Sequence, residues 1–235
     1  MGFFCCLWST PGVVSIFVSI FVVVLHFFRK TKSKLDLRTK KLLTIINTVP
    51  DQCKPCISAL LDAQITSDEN VCAEQMRNLI QSGCLPYNSL ATNPELLLSM
   101  STNCGDAQTN GALWTRFTVQ YNLFAGSIVA LGSTAQRDAL YRTQTTGDLG
   151  CFAFTEAGAG VLSGAAFEST AVFDRSSQTF TINCPTPSSQ KRWISQGQFA
   201  EHAVIAANLM VTKDGQVDSL GPHLFFTRIQ VLLNA

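Results

Sequence analysis

At Gly150 the local signals of this chain change from helical to extended, and that boundary restricts its architecture more than any other feature. Upstream, helix starts and stops recur. Residues 35–49 form an amphipathic pattern closed by Pro50. Thr66-Ser67-Asp68-Glu69 has Thr followed three residues later by Glu. This capping box predicts a helix with Val71, Met76, Leu79 and Ile80 on one side and a stop at Gly83. Asn93-Pro94 opens a further helix carrying residues 96–98, and residues 111–131 predict a longer apolar one. Ser133 with Gln136 makes a second capping box. Downstream, residues 168–173 and 179–183 are β-rich runs joined by Asp-Arg-Ser-Ser-Gln, a hairpin pattern, and residues 201–211 and 224–229 add two more apolar runs. Helices first and strands second give an α+β class. The expected organisation is an N-terminal membrane helix, a helical domain at residues 35–149, and an antiparallel β domain at residues 150–235.

The first 34 residues are of another kind. Residues 12–28 carry no formal charge apart from a proton on His26, and with the apolar residues 3–8 the stretch is long enough to span a bilayer. Arg29-Lys30 follow where a cleaved leader would have small residues. Residues 29–41 hold seven basic side chains against the single acid Asp36, so the positive-inside rule keeps this flank cytoplasmic. The expectation is a single-pass membrane protein with residues 1–34 as anchor and basic flank and its body facing the cytosol, on a peroxisomal or endoplasmic-reticulum membrane. The chain totals 17 basic and 16 acidic residues, so ten basic and fifteen acidic ones remain elsewhere. That balance offers no basic face for a nucleic-acid backbone, and no nucleic-acid partner is expected.

Several chemistries lack support in the sequence. The three histidines, His26, His202 and His223, have no metal-ligand spacing, and no metal site is expected. No G-x-S-x-G elbow, phosphate loop or dinucleotide fingerprint is present. Nine cysteines at irregular spacing read mostly as reduced thiols filling small apolar positions. Cys53 and Cys56 form a lone C-x-x-C pair after a helix, better read as helix-entry residues than as a redox dithiol.

The segment Gly150-Cys-Phe-Ala-Phe-Thr-Glu-Ala-Gly-Ala-Gly160 is more specific. Alone it is an apolar strand ending in Thr-Glu and a glycine-rich turn, of the kind that lets a backbone approach a ligand. Phe154-Thr155-Glu156-Ala157-Gly158-Ala159-Gly160 resembles the T-E-x-G-x-G signature of the acyl-CoA dehydrogenase and oxidase superfamily. Downstream, Ile182-Asn183-Cys-Pro-Thr-Pro-Ser-Ser-Gln190-Lys191-Arg192-Trp193-Ile194-Ser195 is similar to that family's I-N-x-P-T-x-x-x-Q-K-x-W-I segment. The Pro-Thr version, with Glu201-His202-Ala203 and Gly221-Pro222-His223-Leu224-Phe225, is closer to the oxidases.

The resemblance implies a helical domain, a middle β domain and a C-terminal helical bundle around FAD. It implies that Phe152, Ala153, Phe154 and Thr155 line the isoalloxazine, with the Thr155 hydroxyl at its polar edge and Gly160 in the adjoining turn. Trp193, Ile194 and Ser195 would pack on its other side. The reaction implied is α,β-dehydrogenation of a fatty acyl-CoA in fatty acid β-oxidation, with hydride passing to the flavin and, in an oxidase, on to oxygen as hydrogen peroxide. Fatty acyl-CoA, the membrane and a second copy in a homodimer are the implied partners. The family's general base is a glutamate of the C-terminal bundle, so this chain is expected to be a fragment with a truncated middle domain and no catalytic residue of its own. The alternative is a non-catalytic, membrane-tethered pseudoenzyme or interaction module with the same β domain.

Overall fold

The computed structural model describes residues 68–103, 111–160, 167–213 and 216–229, together with Thr66. It divides into two units, one ending at Asp148 and the other beginning at Leu149. The expected membrane span at residues 12–28, the helix at 35–49 and the Cys53/Cys56 pair lie outside the described residues. Among the described residues no helix is long and apolar enough to cross a membrane.

The first unit is helical: α1 (Glu69–Gln81), α2 (Ser89–Thr92), α3 (Pro94–Asn103), α4 (Gly111–Phe117), a π-helical stretch (Thr118–Ala125), α5 (Gly126–Leu131) and α6 (Thr134–Thr146). The cap of α1 is displaced from its expected place. Asp68, not Thr66, caps the helix, its carboxylate accepting from the amides of Asn70 and Val71 at 2.9 and 3.2 Å. The Thr66 hydroxyl instead accepts from the Asp68 amide at 3.0 Å. A carboxylate beside the exposed N–H groups of the first turn satisfies them and also meets the positive end of the helix dipole. The face that α1 buries is Cys72, Ala73, Met76, Leu79 and Ile80, whereas Val71, expected there, is 43% exposed. The second capping box is formed as expected, with Gln136 N donating to Ser133 Oγ at 3.3 Å and Ser133 N to Gln136 Oε1 at 2.8 Å.

Residues 111–131 are helical throughout, but their middle is wound as π-helix, which the apolar pattern does not distinguish from α. That stretch buries Gln120 and Tyr121 beside Tyr87. Gln120 Nε2 donates to the Tyr87 hydroxyl at 2.7 Å, and the Tyr87 amide donates to Gln144 Oε1 at 3.0 Å. Gln144 Nε2 in turn donates to the Leu85 carbonyl at 3.1 Å. Burial raises the Tyr87 phenol far above its ordinary value, more than the Gln120 hydrogen bond lowers it. The cysteines of the described residues are mostly free, as read, with one exception. Cys84 is disulfide-bonded, while Cys72, Cys151 and Cys184 are free. Sequence spacing reports no distance in space, which is what a disulfide requires.

The second unit holds β1 (Gly150–Ala153), β2 (Thr170–Asp174), β3 (Thr179–Asn183), a 3₁₀ turn (Pro187–Ser189), β4 (His202–Lys213) and β5 (Gln216–Arg228). Its sheet is mixed, which corrects the expected antiparallel domain. β4 is central. On one edge β5 runs antiparallel to it, from His202↔Arg228 to Lys213↔Gln216, with a register shift between Asn208 and Met210. On the other edge β1 pairs in parallel over Gly150↔His202 to Ala153↔Ile205, and β2 pairs in parallel over Thr170↔Asn208 to Val172↔Met210. The β2–β3 hairpin forms where the sequence placed it. Alternation identifies strands but not their direction, and here the long excursion between β1 and β2 brings the chain back in the same sense. The first half of β4 is buried on both faces, with Ala203, Val204, Ala206 and Ala207 each no more than 2% exposed.

Candidate functional site

Past β1 the chain leaves the sheet and runs beside a segment distant in sequence. Glu156 and Lys191 form a single antiparallel bridge. Around it the Thr155 carbonyl accepts from Arg192 N at 3.0 Å, and Ala157 N donates to the Gln190 carbonyl at 2.9 Å. Gly158 N donates to the Ser188 carbonyl at 2.8 Å. A Cβ on Gly158 would fall 2.6 Å from Ser188 Cβ, so this backbone approach demands glycine. At Gly160 the demand is conformational instead: its φ is +51° and a Cβ would meet nothing within 4 Å. The two segments singled out in the sequence are thereby laid side by side.

What joins them is a buried ion pair. The Glu156 carboxylate is 1% exposed and accepts from Lys191 Nζ at 2.9 Å. It also accepts from the Ser169 hydroxyl and amide, and from the Glu168 amide at 2.9 Å. Burial alone would raise its pKa, but the Ser169, Glu168 and Lys191 hydrogen bonds together hold it below the usual carboxylate range. Lys191 also donates to the Phe154 carbonyl at 3.3 Å and lies 4.8 Å from the centroid of the Phe167 ring. Burial lowers its pKa more than the Glu156 carboxylate raises it. The neighbouring Glu168 faces outward, accepting from the Thr186 and Ser188 hydroxyls at 2.6 Å each. Those two hydrogen bonds, Ser188 first, hold it below the usual range.

The expected site residues fall into two groups. Phe152, Phe154 and Thr155 are half-buried; the first two rings stack at 5.7 Å, and Phe154 meets Phe167 edge-on at 5.0 Å. The Thr155 hydroxyl makes no hydrogen bond to another described residue. On the adjoining segment Trp193 is 86% exposed and Ser195 is exposed. Ala153 and Ile194 turn inward instead: Ala153 is 8% exposed, and Ile194 packs against Cys151, Ala200 and Ala203. These two support the site from beneath. Trp193 and Gln196 both have left-handed backbones, with φ of 60° and 70°. Non-glycine residues hold such conformations only where their surroundings enforce them.

The sequence carries no assigned role for Lys191, Ser169 or Gln196, and Glu156 enters it only as a member of the Thr-Glu motif. A signal for the ion pair was present, since the first motif segment carries one acid, Glu156, and the second carries two bases, Lys191 and Arg192. Nothing in the sequence, however, states that Glu156 and Lys191 meet.

No family model matches the chain. Among curated proteins it is 29% identical over 202 residues to "Acyl-coenzyme A oxidase 2, peroxisomal" of Arabidopsis thaliana, an alignment covering 81% of this chain and 27% of that protein. It is 37% identical over 103 residues to acyl-coenzyme A oxidase 2 of Yarrowia lipolytica, covering 42% of this chain and 14% of the relative. With peroxisomal acyl-coenzyme A oxidase 1 of Rattus norvegicus the identity is 33% over 115 residues, covering 48% and 16%. The alignments therefore span about a quarter or less of these relatives' length. Among solved structures, acyl-CoA oxidase 1 of Yarrowia lipolytica matches with a TM-score of 0.56 at 24% identity, over 82% of this chain and 29% of that one. Acyl-CoA oxidase 3 of the same organism matches with a TM-score of 0.53 at 23% identity, over 80% and 28%. The fold is acyl-CoA oxidase-like, and the chain resembles acyl-CoA oxidases over most of its length.

Proposed function

We propose, from a chain similar to acyl-CoA oxidases over most of its length, that residues 149–235 are the flavin-contacting domain of an FAD-dependent protein acting in α,β-dehydrogenation of fatty acyl-CoA, within fatty acid β-oxidation. The observation that carries the reading is the juxtaposition of the two motif segments through Glu156 and Lys191. It gives one site an exposed indole from Trp193 and a hydroxyl from Thr155 with no described partner. An exposed ring and an uncommitted hydroxyl fit a flat aromatic group with a polar edge, as FAD presents. In the reading, Phe152, Phe154 and Thr155 hold one side of the flavin, and Trp193 and Ser195 the other. Gly160 supplies the turn beside it, and Ala153 and Ile194 back the two segments. FAD, when bound, supplies the hydride acceptor.

Removal of the proton α to a thioester needs a base within hydrogen-bond reach of it. Glu156 is buried with both oxygens engaged, and Glu168 is engaged by two hydroxyls. Each is held in its ionised form by donors whose bonds would be lost on protonation. The reading therefore gives this domain the positioning of flavin and assigns the base to neither Glu156 nor Glu168. A homodimer and a peroxisomal association accompany it, the Arabidopsis and rat relatives being named as peroxisomal. Attachment to a membrane through residues 12–28 is part of the same proposal.

The test is an FAD titration of the full chain in detergent, followed by quenching of flavin fluorescence. Saturable binding that Trp193→Ala weakens by about tenfold is expected, the scale of one lost aromatic contact with its buried area. A chain that unfolds cooperatively yet quenches no flavin would overturn the reading and leave the β domain as an interaction module.

A further inference from the structure

We propose that Gln196 is a positioning residue: its side chain pins residues 192–196 along β1 and thereby sets where Trp193 stands. The loop is fastened to β1 and its extension at both ends. At one end the Thr155 carbonyl accepts from Arg192 N at 3.0 Å. At the other, Gln196 Nε2 donates to the Gly150 carbonyl at 2.8 Å, from a side chain on a residue only 7% exposed. Between these fastenings Ile194 packs on Cys151, and Gly197 N returns to the Ile194 carbonyl at 3.1 Å. Trp193, like Arg192 and Ser195, is presented outward; it is 86% exposed and has no aromatic partner among the described residues. Its own ring does nothing to fix it, so its place is inherited from the backbone.

That backbone is held in an unfavourable form. Gln196 has a φ of 70°, a conformation glycine would adopt freely. Local backbone preference therefore does not account for glutamine here. The buried hydrogen bond to Gly150 does, because it reaches the strand that continues into Phe152, Phe154 and Thr155. Gln196 thus fastens the far end of the loop, beyond the bonds that Lys191 and Arg192 already make to the Phe154 and Thr155 carbonyls. The anchoring stands on geometry alone, while its consequence for cofactor binding rests on the flavin reading above.

The experiment uses the full chain labelled with 5-fluorotryptophan. Its three tryptophans are Trp8, Trp114 and Trp193, and the Trp193 fluorine resonance is assigned by its loss in Trp193→Phe. Gln196→Gly and Gln196→Met are compared with the parent. If the side chain pins the loop, both variants broaden or split the Trp193 resonance, while amide exchange across β4 and β5 is unchanged. Both also weaken FAD binding by about tenfold, the cost of ordering on binding a wall that was ordered beforehand. A Gln196→Gly protein whose Trp193 resonance matches the parent would overturn the inference, since the turn would then need only left-handed freedom. Should Gln196→Met fail to fold, Gln196→Gly, which suits the observed φ, still decides the question. A parent that binds no FAD would sink the flavin reading and leave the fluorine comparison to judge the anchoring by itself.

Discussion

The two units solve the same problem, polar groups inside a packed interior, with different chemistry. Around Tyr87 in the helical unit the polar groups are neutral: Gln120 donates to the Tyr87 hydroxyl, while the half-buried Gln144 accepts from the Tyr87 amide and donates to the Leu85 carbonyl. In the β unit the corresponding place is taken by ions, Glu156 and Lys191, with Ser169 and two backbone amides completing the carboxylate's shell. A neutral network ties neighbouring helices together and answers to few changes of solvent. An ion pair between segments far apart in sequence must have both partners present and both charged. The first arrangement suits a scaffold. The second suits a junction between two segments that have to meet in one register.

Removing one charge should give the largest effect. Lys191→Met leaves a buried carboxylate without its counter-ion, and about 3 kcal/mol of β-unit stability is expected to go, the low end for breaking a buried pair because Lys191 keeps 13% side-chain exposure. Urea unfolding followed by amide exchange in β4 and β5 reads this directly, and an unchanged midpoint would show the pair to be ornamental. The same pair fixes an acid limb. The folded Glu156 has a pKa below its ordinary 4.5, so its contribution is fully present above about pH 4.5 and is lost as the pH falls through the lower, folded value. Subtracting the pH–stability curve of Glu156→Gln from that of the parent should isolate this loss. A difference that stays flat between pH 5 and pH 2 would break the comparison between the units.

Next in size is Gly158→Ala. The added methyl would meet Ser188 Cβ at 2.6 Å, and about 2 kcal/mol is expected from overpacking. Ser188→Gly in the same chain should recover much of it, whereas a cost that persists in the double variant would move the cause away from Ser188. Smallest is Tyr87→Phe in the helical unit. It removes one acceptor of the Gln120 amide, the longer bond to the Asp148 carbonyl remaining, at a cost of about 1 kcal/mol, seen as a lower thermal midpoint. Unlike the Glu156 effect, this loss should be the same at pH 4 and pH 8, and a pH-dependent one would erase the contrast drawn here.

Much of this was legible in the residues, and the exceptions share a cause. The Ser133 box, the β2–β3 hairpin and the β4 run depend on neighbours within a few positions, and each stands where the sequence placed it, whereas β5 begins at Gln216, eight residues before the run expected from 224. The start of α1 was misplaced because Thr66 and Asp68 both satisfy the local cap pattern, and only the fold chooses Asp68. Parallel pairing of β1 and β2 with β4, the bonded state of Cys84, and the meeting of Glu156 with Lys191 are all relations between remote positions. Of the candidate site, Thr155 and Trp193 stand out in the sequence only as members of the two motifs. That Ala153 and Ile194 face inward, and that Gln196 reaches Gly150, required the packing.

The placement of β4 has a consequence for how the protein is made. Both strands on one of its edges, β1 and β2, precede it in the chain, and its other neighbour β5 follows it. On a ribosome, β1 and the β2–β3 hairpin emerge with the edge they will occupy not yet translated, and the hairpin alone has too little surface to persist in water. The helical unit, whose last helix ends at Thr146, is already synthesised and free to fold by then. The β unit has to wait for residues 202–213, after which β1 and β2 gain their common partner at once. Its birth is therefore late and abrupt, and the interval before it, with apolar strands made but unpaired, is when the nascent chain most needs shelter by chaperones.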